Sequence, residues 1–551
     1  MRNKSAYTLL PKTSSAFFIV TILIVLVVFS EVLTADFVMW DDDIVIYKNP
    51  NIGKISLERI YWAFTDVDSM MRYNPLTLLS WCATYHFFGH NPFGYHLVNW
   101  LLHGLSSGLL FLIIRKALLL LPVPSQSQTK TLFHRNINLI AMLAALFWAI
   151  HPLRVEPVSW ATDRTYCQAV FFLLLTTFCY IEAVNSETNN KKRYFFLIIS
   201  ALIFYIFSLL SHAIGTTYFI ILLIFDVFLF KRIGKNTGWW RSQGAKKVWL
   251  EKMVFANPAI WIIVISVIVR INSAGPWSPA VPLSEFGIID RLMQAFYITV
   301  YYIYKPFYPV DLSPYYTTLI SFDPISFPFV ASAFVFSLLA VFTFVFRKRW
   351  PIGLALLLSH IVLLIPVMGL FEHPHFPVDR YSLVSSICLS MLAAIVLINL
   401  KNKNLSISLM TVLIIAVSIL GWMTVKQVRV WHNSQSLFTH MIETLGNDPY
   451  RQHIYWRLGK YFYKNDKEEK AISNFKKTLE INPYHITANR CMAHIEYQKG
   501  NLKKTICHLK KCLVTNPDNS KIHYQLSQLF NEIDNRKKAT FHLKKAIHLS
   551  R

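Results

Sequence analysis

At 551 residues, 54% hydrophobic and 15% aromatic, with a mean hydropathy of +0.38, the chain is too apolar for an ordinary soluble protein and reads as a polytopic membrane protein. Its net charge of +25 is unevenly placed, with 21 Lys+Arg against 8 Asp+Glu between Pro449 and Arg551. Seven scattered cysteines, without a C-x-x-C pair or zinc spacing, argue for neither a disulfide framework nor a metal ribbon.

The first apolar run, 16–34, is long enough to cross a bilayer, lacks a small-residue cleavage site and exceeds a signal core, so it reads as a retained span. Directly beyond it lies Val38-Met39-Trp40-Asp41-Asp42-Asp43-Ile44. Three carboxylates at the end of a span are costly to desolvate and repel one another unless a cation, a shared proton or a substrate relieves them. One reading is a solvated cluster ending a helix at the interface. The other, preferred here, is a carboxylate pair that takes a proton from an acceptor, with Asp41 as base and Asp42 as partner, or the reverse. Asp43 is expected to matter less.

Further apolar runs follow at 96–121, 137–151, 166–184, 194–211, 214–230, 254–271, 326–346, 350–370, 381–399 and 405–425. The run 137–151 is short and is expected to extend into its flanks. Lys and Arg gather before the first span (Arg2, Lys4, Lys12), near Arg115-Lys116, Lys130 and Arg135, at Lys191-Lys192-Arg193, from Lys231 through Arg241 to Lys247, at Arg347-Lys348-Arg349 and at Lys401 and Lys403. All fall on one side, the cytoplasm, if the spans number about eleven and the Tyr-rich stretch 284–305 lies in the interface instead of crossing.

That topology puts the acidic stretch outside, with His151-Pro152-Leu153-Arg154-Val155-Glu156, Asp163-Arg164, His212, His373-Pro374-His375 and Asp379-Arg380-Tyr381. In the second span His96, Asn99, His103 and Ser106 share one helical face, which should look into the bundle or a polar cavity. Helix-to-helix hydrogen bonding explains that face at least as well as substrate contact. In the tail Pro449, Pro483 and Pro517 recur every 34 residues, as do Ala471, Thr505 and Ala539. From Gln452, the residues Tyr455, Leu458, Gly459, Phe462, Ala471, Phe475 and Pro483 occupy tetratricopeptide (TPR) positions, followed by a degenerate unit from Ile486 and a third from Ser520. Residues 434–447 read as a leading half unit. The predicted fold is all-α: a polytopic helix bundle over 1–430, then a TPR solenoid over 431–551 offering a basic binding surface.

Trp40-Asp41-Asp42 after the first span and His151-Pro152-x-x-x-Glu156 at the third resemble the GT-C-type, protein O-mannosyltransferase-related membrane proteins with C-terminal TPRs, bacterial homologues included. Pro75-Leu76-Thr77, the stretch Gly89 to Asn99, Asp379-Arg380-Tyr381 and Trp431-x-Asn433-Ser434 extend the resemblance over nearly the whole chain. It implies transfer of a mannose-like sugar from a polyprenyl-phosphate donor to an external hydroxyl, with the acidic motif on Asp41 and Asp42 and phosphate contacts on Arg164 and Arg380. Glu156 would meet acceptor or sugar hydroxyls, and Asp43, His96, Asn99, His151, Arg154 and His212 complete the expected substrate-binding set. The chain departs from the family at His212, where a lysine is usual, at Asn74, where arginine is common (Arg72 lies two places earlier), and at Ser382-Leu383-Val384 after Asp-Arg-Tyr.

The expected partners are the bilayer, the lipid-linked donor, a protein or glycan acceptor and a protein held by the TPRs; nucleic acid is not among them. A divalent metal on Asp41, Asp43, His151 and Glu156 is an open alternative, although no spacing within one segment demands it. A non-catalytic membrane-anchored TPR scaffold, and a transferase acting on a glycan or lipid, are the rival readings. The N-terminus is expected in the cytoplasm and the tail outside it, in a bacterial inner membrane or the endoplasmic reticulum. Asn3 and Asn404, in the Asn-x-Ser/Thr sites, fall on the cytoplasmic side of that topology.

Overall fold

Apolar runs of this length leave the backbone no hydrogen-bonding choice but the helix, and the structure follows. A computed structural model describes residues 12–67, 72–121, 127–233, 242–272, 281–320, 322–370, 375–400 and 402–550. Arg2, Asn3, Lys4, Lys235, Arg241, His373, Pro374 and Lys401, named above, lie outside the described residues. Among the described residues there is no strand, and the chain divides into two compact units, 1–432 and 433–551.

The first unit opens with α1 (Lys12–Val28), a 3-10 turn (Ser30–Thr34) and the acidic stretch. Two helices that the hydropathy pattern does not predict follow, α2 (Leu57–Thr65) and α3 (Pro75–Phe88). Next come α4 (Pro92–Leu120), α5 (Ser127–Ala149), α6 (Val155–Ser159), α7 (Arg164–Ser186), α8 (Lys191–Ser211) and α9 (Tyr218–Ile224), the last prolonged by a π turn over Phe225–Leu229. The unit continues with α10 (Gln243–Asn272), α11 (Ile288–Tyr304), α12 (Phe327–Val345), α13 (Pro351–Leu364), α14 (Ser382–Ser385), α15 (Ile387–Asn399) and α16 (Lys403–Val430).

Six helices are long and apolar enough to cross a membrane, or up to eight if each of two bent pairs is one span; three shorter apolar helices cover 13–28, 213–229 and 351–367. Each predicted apolar run coincides with one of these. The short run 137–151 is part of a broken element: α5 reaches back to Ser127, and past Ala149 the chain bends by 59° into Pro152–Ser159. Pro152 has no N–H to continue the ladder and its ring crowds the preceding turn, so the helix stops where His151-Pro152 begins. Helix α11 is outside the apolar set. It exposes Ile288, Ile289 and Leu292 and buries Gln294, Tyr297, Tyr301 and Tyr302.

Close packing of α1 on α4 needs small residues. A Cβ at Gly104 would stand 2.5 Å from Leu26 Cδ2, and one at Gly108 would stand 2.7 Å from Phe18 Cε2. The polar face on α4 is buried and largely engaged by protein. Asn99 Nδ2 donates to the Trp160 carbonyl (3.1 Å), His103 Nε2 lies 2.8 Å from the Ala149 carbonyl, and Ser106 Oγ donates back to Leu102 (2.7 Å). Three of the four thus act as interhelical or intrahelical glue, and His96 is buried beside the Asp36 backbone.

The second unit begins with α17 (Ser434–Leu445) and continues as three helix pairs, α18 (Arg451–Lys464) with α19 (Glu468–Ile481), α20 (Ile486–Gln498) with α21 (Leu502–Thr515), and α22 (Ser520–Glu532) with α23 (Arg536–Ser550). Leu458, Ala471 and Phe475 are buried in the first pair, and Leu526, Phe530 and Ala546 in the third. A Cβ at Gly459 would lie 2.7 Å from the Phe475 ring, the close approach that selects a small residue there. Successive pairs repeat one contact, Tyr463 OH to Gln498 (3.2 Å) and Tyr497 OH to Glu532 (3.3 Å).

Candidate active site

The acidic stretch is an anchored loop whose three carboxylates have different surroundings. Asp42 is fully buried. Its Oδ2 accepts from the Val38 N–H (2.9 Å), and its Oδ1 accepts from both the Thr162 N–H (3.0 Å) and Thr162 Oγ1 (2.6 Å). Burial pushes its carboxyl up to about 7, against the pull of those hydrogen bonds. Asp43 is buried 3.5 Å from Lys48 Nζ at the start of a π turn. Asp41 stays half-buried. The geometry therefore gives Asp42 the task of tying residues 38–42 to Thr162 and leaves Asp41 as the accessible member.

Beside Thr162 sits a cluster built from α6, α7 and the turn before α14. Arg380 N–H donates to Glu156 Oε2 (2.9 Å), and its guanidinium pairs with Glu156 Oε1. Arg380 Nε lies 3.7 Å from Asp163 Oδ1, too far for a hydrogen bond. The guanidinium is walled by the Trp160 ring at 5.3 Å and the Tyr166 ring at 5.7 Å. Thr162 adjoins Asp163 in the chain, so its two hydrogen bonds to Asp42 bring the acidic loop to this cluster. His212 lies against Tyr166, ring centroids 4.1 Å apart, with Nδ1 accepting from the Ile214 N–H (3.0 Å).

Other predicted residues are engaged by the protein itself. Arg164 is fully buried and all three of its nitrogens are bonded: Nε to Asn99 Oδ1 (3.1 Å), Nη1 to Thr84 Oγ1 (2.7 Å) and Ser80, Nη2 to the Tyr95 carbonyl (2.9 Å). It ties α3, α4 and α7 together, and these bonds engage the side chain of which a phosphate contact is expected. His151 is likewise occupied, Nδ1 accepting from the Leu153 N–H (3.2 Å) while Nε2–H donates to the Pro306 carbonyl (2.8 Å). Arg154 donates through Nη2 to Ser382 (2.9 Å) and Ser386 (3.0 Å). Among the described residues, no group of three or more His, Cys, Asp or Glu side chains is placed to hold a metal ion. With both ring nitrogens of His151 committed, the set Asp41, Asp43, His151 and Glu156 does not fit one.

Thr162 and Tyr166 are neighbours of the candidate site that no motif marks. Their only signal in the sequence is position, next to Asp163-Arg164. A separate cavity of about 450 Å³ opens near Asp43, lined among others by Tyr47, Lys48, Lys54, Arg59, Tyr85 and His90. It lies on the α2–α3 side of the acidic loop and contains none of the Glu156–Asp163–Arg380 residues.

The fold and this cluster define a multi-pass helical membrane protein with a carboxylate–arginine site where an N-terminal acidic loop meets the α6–α7 turn. No protein-family model matches the chain. Its homologues are TMTC protein O-mannosyl-transferases, at modest identity. It is 28% identical to protein O-mannosyl-transferase TMTC2 of Mus musculus over 215 residues, 38% of this chain and 23% of that one. It is 33% identical to Tmtc3 of Drosophila melanogaster over 120 residues, 20% of this chain and 12% of the relative. Against TMTC1 of Homo sapiens it is 22% identical over 454 residues, 76% of this chain and 48% of the relative. The chain thus spans less than half the length of these curated relatives.

Proposed function

We propose that the chain is a membrane glycosyltransferase that moves a mannose-like sugar from a polyprenyl-phosphate donor to a hydroxyl group of a protein. The relatives are named protein O-mannosyl-transferases, which supplies the reaction class, and one geometric observation supports it here. The Asp42–Thr162 hydrogen bonds hold the acidic loop beside the Glu156–Asp163–Arg380 cluster, with the half-buried Asp41 next to Asp42 in the chain. Asp41 takes the proton of the acceptor hydroxyl as its oxygen attacks the anomeric carbon. The anomeric C–O bond to phosphate breaks, and the lipid phosphate leaves with the electron pair. Asp42 and Thr162 position the base. Glu156, fixed by Arg380, presents its remaining lone pairs toward sugar or acceptor hydroxyls.

In this reading residues 433–551 are TPR-type pairs that recruit the acceptor or a partner, eleven segments cross the bilayer, and the reaction face and the tail are extracytoplasmic. The decisive experiment is transfer of labelled mannose from purified polyprenyl phosphate mannose to an acceptor protein by the full chain in nanodiscs. Sugar appearing on Ser or Thr supports the reading. Absence of transfer from every lipid-linked hexose, with the tail still capturing a partner, would leave the chain a scaffold.

A further inference from the structure

One cavity stands apart from the Glu156–Asp163–Arg380 cluster, the hollow of about 450 Å³ on the α2–α3 side of the acidic loop. It is built by a loop wrapped on an arginine. Arg59, in the first turn of α2, donates through Nε to the Asn51 carbonyl (3.1 Å) and through Nη1 to the Lys54 carbonyl (3.0 Å). Its guanidinium lies so close over Gly53 that a Cβ there would collide with it. Cys82 Sγ donates to the same Asn51 carbonyl (3.8 Å), which pins the loop to α3. Lys48, Lys54 and Arg59 thus share one hollow, and none of the residues lining it is acidic. Lys48 reaches Asp43 at 3.5 Å, and Lys54 is exposed. A cleft lined by one sign of charge concentrates the opposite one, so the hollow suits an anion.

The surface beside the hollow is apolar. Leu57, Ile60, Tyr61 and Phe64 have the spacing of one face of α2, yet that face is turned outward, with Leu57 85% and Tyr61 74% exposed. The opposite side of α2, at Trp62 and Ala63, packs on Trp81 and Cys82 of α3. On the far side of the hollow, Phe87, Phe88 and Phe93 are exposed where α3 passes into α4, the helix from Pro92 that is long and apolar enough to cross a membrane. Exposed Leu101 and Leu105 continue this apolar surface along α4. Aromatic rings at the start of a span mark the membrane surface. A short helix with an outward apolar stripe and cations beside it has the pattern of a segment lying in that surface.

We propose that this hollow binds the head group of an anionic bilayer phospholipid, its phosphate held by Lys54, Arg59 and Lys48 and its acyl chains lying against the outward face of α2 and Phe87. A phosphodiester offers oxygens to a guanidinium and an ammonium together. A free phosphate would meet the same cations but leave the apolar band uncovered, so the juxtaposition of hollow and band selects an amphiphile. The site shares no residue with the Glu156–Asp163–Arg380 cluster and does not depend on the sugar-transfer reading. Lys48 links the two regions, because its partner Asp43 belongs to the acidic stretch. A bound lipid therefore fixes the outer flank of that stretch to the membrane surface.

The test uses the full chain in micelles of neutral detergent, with bound lipid counted by native mass spectrometry. The probes are phosphatidylglycerol, phosphatidylcholine, polyprenyl phosphate and soluble glycerol 3-phosphate. Phosphatidylglycerol should bind more tightly than phosphatidylcholine. Lys54→Glu reverses the charge of an exposed side chain and should weaken phosphatidylglycerol binding about 10- to 30-fold. Leu57→Ser combined with Tyr61→Ser should also weaken it, since both side chains face outward and neither holds the core. Lys537→Glu, the same reversal in residues 433–551, should bind as the parent does. Equal affinity for phosphatidylcholine, an unchanged Lys54→Glu, or an equal loss in Lys537→Glu overturns the site. Unchanged binding in the Leu57–Tyr61 double variant overturns the placement of the acyl chains. Glycerol 3-phosphate that competes as well as the lipid overturns the lipid identity. Polyprenyl phosphate that displaces phosphatidylglycerol one for one overturns the phospholipid assignment in favour of the sugar donor.

Discussion

Helix α7 is roughly 34 Å long at 1.5 Å per residue, and a buried charge cluster sits at each end of it. Toward its C-terminus, Tyr180 OH donates to Asp226 Oδ2 (2.7 Å), Lys252 pairs with Asp226 (2.8 Å), and Arg232 bridges Asp226 (3.0 Å) and Glu251 (2.8 Å). None of those five side chains has a buried polar atom without a partner among the described residues. At the other end Asp163 Oδ2 and Arg380 Nε, with Nε and Nη1 of nearby Arg154, have none. A closed network of opposite charges locks α7, α9 and α10 together. An open one retains unmade hydrogen bonds, which natural proteins tolerate mainly where another molecule completes them. That difference is why the proposed site is placed at the N-terminal end of α7.

The comparison breaks first at Asp41. Asp41→Asn keeps size and hydrogen-bonding reach but cannot take a proton, so mannose transfer should fall about 10²–10⁴-fold with polyprenyl phosphate affinity unchanged. Full activity would move the reaction away from the open cluster. Asp42→Asn should lose less than Asp41→Asn, because its role is to place the loop.

Structural arginines give the next largest effect. Arg164→Ala leaves Asn99, Thr84 and the Tyr95 carbonyl facing a void, and Arg232→Ala leaves Asp226 and Glu251 short of a cation. Each should cost about 3–5 kcal/mol, read as a lower thermal midpoint in detergent. Arg232→Ala, in whatever fraction stays folded, should keep parental donor affinity. A selective loss of donor affinity there, with stability intact, would erase the contrast between the two ends.

Acidity separates the units more gently. Asp42 titrates near 7 when folded, above its ordinary value near 4, so the stability linked to its protonation is fully present below about 4 and is lost as pH rises through about 7. The thermal midpoint of the parent minus that of Asp42→Asn should therefore fall across that window, and a flat difference would show that Asp42 does not titrate there. His485 behaves oppositely. Burial lowers it to about 4, and its Nδ1 accepts from the Ala488 N–H (3.2 Å) as the cap of α20. Unit 433–551 should lose stability as pH falls from about 6.5 toward 4. His485→Ser retains a capping oxygen and should flatten that acid limb, followed by proteolysis of the tail against pH.

Much of the fold was legible because its causes are local. Eleven apolar runs each coincide with a helix or a bent helix pair, and the break at His151-Pro152 follows from the proline ring. The 34-residue recurrence places three helix pairs in the tail, since small residues at Gly459 and Ala471 are needed wherever two helices touch. Helices α2 and α3 were not legible. They lie between spans and carry no long apolar run, although Ser56 caps α2 by accepting from Arg59 N (3.2 Å) and Pro75 opens α3.

The sequence by itself determined which residue types reach this region: an acidic triplet after a span, a His-Pro-x-x-x-Glu turn and two Asp-Arg pairs, because hydrophobicity and chain order confine charge to the ends of helices. Only the tertiary structure decided which of them are available. Asp42 is held by Thr162, 120 positions away, and Arg380 by Glu156, 224 positions away, while Arg164 is consumed by partners 65 to 84 positions distant. A buried guanidinium or carboxylate must be matched by hydrogen bonds wherever the fold brings them. Whether a charged side chain binds the protein or its substrate is therefore settled by packing between distant segments, which no local pattern encodes.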